Sequence, residues 1–145
     1  MNPARIEIRA RAPLAHFDLD VSIATEARCL GIFGPSGSGK TSVLEAVAGW
    51  RTDVEGRVRI GERVLLDSAD GRRVPVPKRA IGYVPQDVLL FPHRTVRENV
   101  LSGARARAED LDRAADVLEI RPLLERPVDA LSGGEKSRVG LARAL

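Results

Sequence analysis

The chain has 145 residues, of which 43% are apolar and 30% charged, a size and balance that suit one globular domain with a sizeable core. Its formal charge of +3 is small, and its arginines are spread along the chain, which argues against a nucleic-acid partner, since such surfaces are built as patches or stripes. No apolar run approaches the roughly 20 residues that a membrane span needs, and Met1–Arg11 alternates charged and apolar residues without the apolar stretch of a signal peptide.

These features lead to an expected cytoplasmic location, with any membrane contact made through a partner. The single cysteine, Cys29, excludes an internal disulfide, which fits a reducing compartment. Its apolar surroundings place it in the expected core.

In chain order, Ile6–Ala10 reads as a short strand. Phe17, Leu19, Val21 and Ile23 alternate with polar or small residues, the period of a half-buried strand. Cys29–Phe33 is a continuous apolar run, the pattern of a strand buried on both faces in a parallel sheet. The glycine-rich loop Gly34–Gly39 follows. Thr41–Ala48 then carries Val43, Leu44, Val47 and Ala48 at helical spacing and ends at Gly49, a C-cap residue. Val58–Ile60, the turn at Gly61-Glu62 and Val64–Leu66 predict a hairpin. Asp67–Pro77 reads as a surface loop, and Ile81–Val84 as another short strand closed by Pro85.

The second half changes to helical patterning. Thr95-Val96-Arg97-Glu98 is a capping box. Glu109–Glu119 places Leu111, Ala114, Ala115 and Leu118 on one face. Ser132-Gly133-Gly134-Glu135 is a second capping box, followed by Val139, Ala142 and Arg143 at helical spacing. No C-cap signal closes this last helix before Leu145, so a continuation of the sequence is expected.

Two glycine-rich segments carry chemistry. Gly34-Pro35-Ser36-Gly37-Ser38-Gly39-Lys40-Thr41 satisfies G-x-x-x-x-G-K-[ST] in full. Its glycines let successive N–H groups converge on one concavity at a helix N-terminus, where the dipole also favours anions. Lys40 supplies a point charge for the β- and γ-phosphates, and the Thr41 hydroxyl a ligand for Mg²⁺. The second segment, Leu131-Ser132-Gly133-Gly134-Glu135, opens a helix with two glycines, each weaker than Ala by up to about 1 kcal/mol. Such a start makes sense where something must approach the backbone closely, and bare N–H groups at a helix N-terminus form a second phosphate site.

Together these segments resemble the ABC ATPase family. Ile32–Gly49 (IFGPSGSGKTSVLEAVAG) is similar to its Walker A segment, Ile81–Asp87 (IGYVPQD) to the strand leading into its Q-loop, and Leu90–Val100 (LFPHRTVRENV) to the segment that follows. Leu131–Leu145 (LSGGEKSRVGLARAL) is similar to its signature and signature helix. The resemblance implies an α/β P-loop NTPase fold with an antiparallel β subdomain and a helical subdomain, incomplete at its C-terminus. Residues 1–86 would form the β subdomain and P-loop core, and residues 87–145 the helical subdomain.

It further implies ATP and Mg²⁺ as cofactors, with Gly34, Pro35, Ser36, Gly37, Ser38, Gly39, Lys40, Thr41, Gln86, Ser132, Gly133, Gly134 and Glu135 in contact with nucleotide, and Thr41 and Gln86 at the metal. Gln86, the Q-loop glutamine, would couple nucleotide to partner. The partners implied are an integral membrane permease, which would hold the protein at the inner face of the membrane, and a second ATPase subunit in a homodimer. Within the family, LSGGEK, the preceding Leu123–Val128 and the LFPH segment resemble the ATPases of molybdate importers most, although Ser137 and Gly140 replace a commoner Gln and Ala.

The family's adenine-stacking aromatic would be His16 or Phe17, with Phe17 read as core by its alternation and His16 as surface. The resemblance also implies ATPase activity, but the Walker B aspartate, the catalytic glutamate and the switch histidine would lie after Leu145. No catalytic residue is therefore assigned, and no steady hydrolysis is expected from this segment alone. Other readings compatible with these motifs are a soluble ABC ATPase outside transport and a nucleotide-binding fragment without catalysis.

Overall fold

The computed structural model describes residues 2–103 and 108–145. They form two compact units, Met1–Ala80 and Ile81–Leu145. The division falls upstream of Gln86, where the family likeness puts the end of the first part.

The first unit is built on a five-stranded sheet in the order β2-β1-β3-β4-β5, every pair antiparallel. Strand β1 (Ala4–Pro13) and strand β2 (Asp18–Ala27) are long partners, with Ile8 opposite both Ile23 and Val58. Strands β3 (Glu55–Ile60) and β4 (Arg63–Asp67) are the expected hairpin around Gly61. A register shift after Val58 pairs it with Leu66 and pairs Arg59 with Val64, so Leu65 is the extra residue of a bulge. Alternation buries Ile8, Ala10, Ala12, Leu19, Val58 and Leu66 and leaves Arg5, Arg9 and Arg11 on the wet face. Helix α1 (Lys40–Ala48) buries Val43, Ala46 and Ala48. Leu44, expected on the apolar face, is half exposed. Within the segment read as a loop, β5 (Arg72–Arg73) and the single turn of α2 (Val76–Arg79) form.

Two expected strands are absent. Residues 29–33 and 81–84 take no strand conformation, and both Cys29 and Phe33 are exposed. A strand buried on both faces exists only with ladder partners that satisfy its N–H and C=O groups. No strand of the described sheet pairs with either segment. Composition specified a buried segment, but the described residues do not provide the neighbours that would bury it, so the core assignment of Cys29 fails with it.

The second unit is a small helical core. Helix α3 (Val96–Leu101), helix α4 (Ala108–Val117) and helix α5 (Gly133–Ala144), with 3₁₀ turns at Arg121–Leu123 and Val128–Ala130, gather Val96, Val100, Leu111, Ala115, Ile120, Leu123, Val128, Leu131, Val139 and Ala142 into one cluster. Each of its Val, Leu and Ile side chains contributes roughly 1.5–3 kcal/mol by its burial. The expected face of Leu111, Ala114, Ala115 and Leu118 points into this cluster. Buried Asn99 pins the preceding turn: its Nδ2 donates to the carbonyls of Phe91 (3.1 Å) and Thr95 (2.9 Å), and its Oδ1 accepts from Phe91 N (2.7 Å).

Candidate nucleotide site

The phosphate-loop candidate lies wholly in the first unit. From Gly34 to Ser38 the chain is exposed, and Gly37 (φ 79°) and Gly39 (φ 87°) take left-handed conformations that side chains resist. Gly39 is the N-cap of α1, and no side chain caps that helix start. A Cβ at Gly39 would meet Leu19 Cδ1 at 2.9 Å and Leu14 Cδ1 at 3.4 Å. A Cβ on Gly34 would meet Ser38 Oγ at 2.8 Å. The loop is therefore tight on its inner side and open on its outer side. Lys40 Nζ donates to the carbonyls of Gly34 (3.0 Å) and Pro35 (2.6 Å), which sets the ammonium over the loop. Thr41 follows, exposed, in the first turn.

This donor set fits a polyphosphate. An uncapped helix N-terminus, a loop narrowed by glycine and a lysine ammonium aimed across it all favour negative charge. Phe17 is partly exposed rather than core, and its ring lies 3.5 Å from where a Cβ on Gly39 would stand. The alternation that marked it as buried begins only at Asp18, the first residue of β2. Phe17 thus borders the loop, while His16 is exposed as expected.

The remaining candidates fall in the second unit. Ser132 caps α5: its Oγ accepts from Glu135 N (3.3 Å), and Glu135 Oε2 accepts from Ser132 N (2.7 Å). These bonds to Ser132, backbone first and hydroxyl second, hold the Glu135 carboxyl below its ordinary pKa, with Arg126 and Arg138 adding to the effect. Gly133 and Gly134 lie inside the helix, and a Cβ on either would meet nothing within 4 Å. Among the described residues no neighbour requires glycine there.

Gln86 is exposed in the irregular stretch before α3. That stretch lies flush on the C-terminal half of α5. A Cβ on Gly140 would stand 2.5 Å from Val88 Cγ1, a Cβ on Gly82 would overlap the Ala144 carbonyl, and Arg143 Nη1 donates to Leu89 O (2.5 Å). Gly140, a departure from the commoner alanine, is thus the notch that receives Val88. The signature start at Ser132 is the opposite end of the same helix.

An antiparallel sheet unit, a glycine-rich loop opening α1 and a helical unit opening its last helix on Ser-Gly-Gly define the ATP-binding architecture of ABC proteins. The chain belongs to the ABC transporter family, whose model matches residues 18–145. It is 42% identical over 142 residues to the molybdenum import ATP-binding protein ModC of Vibrio parahaemolyticus, a match that covers 97% of this chain and 38% of that protein. It is 43% identical over 146 residues to ModC 1 of Azotobacter vinelandii, covering 97% of this chain and 40% of that one. Among solved structures it resembles a bacterial Atm1-family ABC exporter with ATP bound, with TM-score 0.73 and 26% identity over 99% of this chain and 27% of the exporter chain. The chain spans about two-fifths of the length of the curated relatives it matches. None of its described helices is long and apolar enough to cross a membrane.

Proposed function

We propose that this chain supplies the ATP-binding part of the ATPase subunit of an ABC importer for molybdate or a related oxyanion. The observation that carries the nucleotide reading is the uncapped start of α1, with Gly39 left-handed and Lys40 Nζ held over the loop by the carbonyls of Gly34 and Pro35. The molybdate reading rests on the names of the relatives. On this reading Gly34–Thr41 hold the phosphates, and Lys40 moves from the loop carbonyls to the β- and γ-oxygens. Thr41 in the first unit and Gln86 in the second are each a candidate ligand for Mg²⁺, which would neutralise phosphate charge. Phe17 offers its partly exposed ring to the base.

Ser132, Gly133 and Gly134 serve the nucleotide of a second copy. The support is that a Cβ on Gly133 or Gly134 would meet nothing among the described residues, so the backbone of that turn is open to a ligand from outside. A membrane permease is the partner that would hold the assembly at the cytoplasmic face.

Calorimetry with Mg²⁺-ATP tests the first part. The chain should bind, and Lys40→Ala should weaken binding at least about tenfold, the scale of a lost charge-assisted contact. Equal affinities would overturn it. For the cargo, cells lacking the gene should lose uptake of labelled molybdate. Unchanged uptake of molybdate and of sulfate would overturn the oxyanion assignment.

A further inference from the structure

The most deeply buried charge of the first unit sits at the far end of the phosphate-loop helix. Arg79 is 1% exposed. Its Nη1 donates to the carbonyls of Ala46 (2.8 Å) and Val47 (2.7 Å) in the last turn of α1, and its Nε donates to Val74 O (2.8 Å). The C-terminal carbonyls of a helix lack intrahelical partners and carry the negative end of its dipole, so a cation there is favourable. Burying a guanidinium is costly unless hydrogen bonds compensate it, and here three carbonyls do so.

Two further features fix the arrangement. Gly49, the C-cap of α1, has φ 89°, and a Cβ on it would stand 2.6 Å from Arg79 Cζ and Nε. The glycine therefore serves both the turn and the room for the guanidinium. Arg63 Nη2 in turn donates to the carbonyls of Lys78 (3.3 Å) and Arg79 (2.5 Å). That anchors the Arg79 backbone to β4. The start of α1, by contrast, has no side-chain cap. The guanidinium holds the helix at its C-terminal end, and the end without a side-chain cap carries Gly39, Lys40 and Thr41.

We infer that Arg79 is a positioning residue for the nucleotide site: locked into the Gly49 notch, its guanidinium fixes where α1 places Lys40 and Thr41. This rests on the nucleotide reading of the loop. Lysine cannot replace it fully, because a point ammonium does not bridge carbonyls lying in different directions as a planar fork does.

The test measures binding of Mg²⁺-ATP and of inorganic tripolyphosphate to the folded chain, with the folded fraction fixed by circular dichroism. The proteins compared are the wild type, Lys40→Ala, Arg79→Lys, Arg79→Met and Gly49→Ala. With Arg79→Met, both ligands should bind about tenfold more weakly per folded molecule, on the scale by which small misplacements of a binding group act. Arg79→Lys should fall between it and the wild type. Gly49→Ala keeps the charge but displaces it, and should resemble Arg79→Met.

If Arg79→Met lowers only the unfolding midpoint, while the folded protein binds both ligands as the wild type does, the inference is overturned. Should Arg79→Met fail to fold, Arg79→Lys decides: wild-type affinity overturns the inference, and an intermediate affinity for both ligands supports it. Failure of the nucleotide reading looks different, because the wild type and Lys40→Ala would then bind alike.

Discussion

The two glycine-rich helix starts of this chain look alike in sequence and differ in what their glycines are for. Before α1, Gly37 and Gly39 take left-handed backbone, and Gly39 is pressed by Leu19. Before α5, Gly133 and Gly134 are ordinary helical residues with open space where a Cβ would be. The first pair is demanded from within, by a loop that must curl back over its own helix. For the second pair no cause lies among the described residues. Two glycines in a first turn weaken a helix by up to about 1 kcal/mol each. On the proposed function that cost is offset by a nucleotide of a second copy that approaches the backbone. The starts also differ in capping: α1 has no side-chain cap, whereas Ser132 and Glu135 close a reciprocal box.

Substitution should separate the two. Gly39→Ala forces a side chain into left-handed backbone against Leu19, and should destabilise the first unit by about 2 kcal/mol, read as a lower urea midpoint. An unchanged midpoint would show that the loop relaxes freely and would dissolve the contrast. Next in size is the cap. Ser132→Ala should cost about 1 kcal/mol, and Thr95→Ala, which opens the matching box on Glu98, should cost about the same. A neutral Ser132→Ala beside a costly Thr95→Ala would mean that the signature box is not structural. Smaller still, and opposite in sign, Gly134→Ala should stabilise α5 by about 0.5–1 kcal/mol. The same substitution should abolish any ATP-dependent pairing of chains seen by sedimentation. Loss of stability would place the cause of Gly134 inside the fold after all.

What was legible in the sequence follows the range of the forces involved. The existence of β1 and β2, the β3–β4 hairpin, the Gly49 C-cap and both capping boxes are local, and alternation, turn residues and three-residue spacings specify them; the pairing of β1 with β2 was not read. The phosphate loop was legible for the same reason, since its residues are contiguous. Cys29–Phe33 and Ile81–Val84 were misread because an apolar run records what should be buried, not which neighbours are present to bury it. Phe17 was misassigned because alternation does not mark its own first residue. Arg79 left no signal at all. In sequence it is one arginine in a polar segment, and only the fold brings it to the carbonyls of Ala46 and Val47. Gly140 was noticed only as a departure from a commoner alanine, and the structure gives the reason in Val88.

The smallest expected effect concerns pH and again distinguishes the two starts. Glu135 accepts from Ser132 N and stands near the hydroxyl of Ser132, which lowers its pKa from the ordinary 4.5, with Arg126 and Arg138 lowering it further. A carboxyl with a depressed folded pKa contributes stability that is fully present above its unfolded value and is lost as pH falls through the folded one. The start of α5 should therefore hold at neutral pH and fray below about pH 4.5, as Glu135 takes up its proton and releases Ser132 N. Amide hydrogen exchange at Ser132 and Glu135, the two N–H groups of the box, reads this directly, once corrected for the intrinsic pH dependence of exchange. Protection should fall with pH in the wild type, and in Glu135→Gln it should be reduced but flat. The start of α1 has no carboxyl cap to titrate, so protection of the Val43 amide, which donates to Gly39 O, should not follow the same curve. If the Glu135 amide keeps its protection through the titration of its own carboxyl, the reciprocal box does not hold the helix start, and the Ser132 hydroxyl alone caps it.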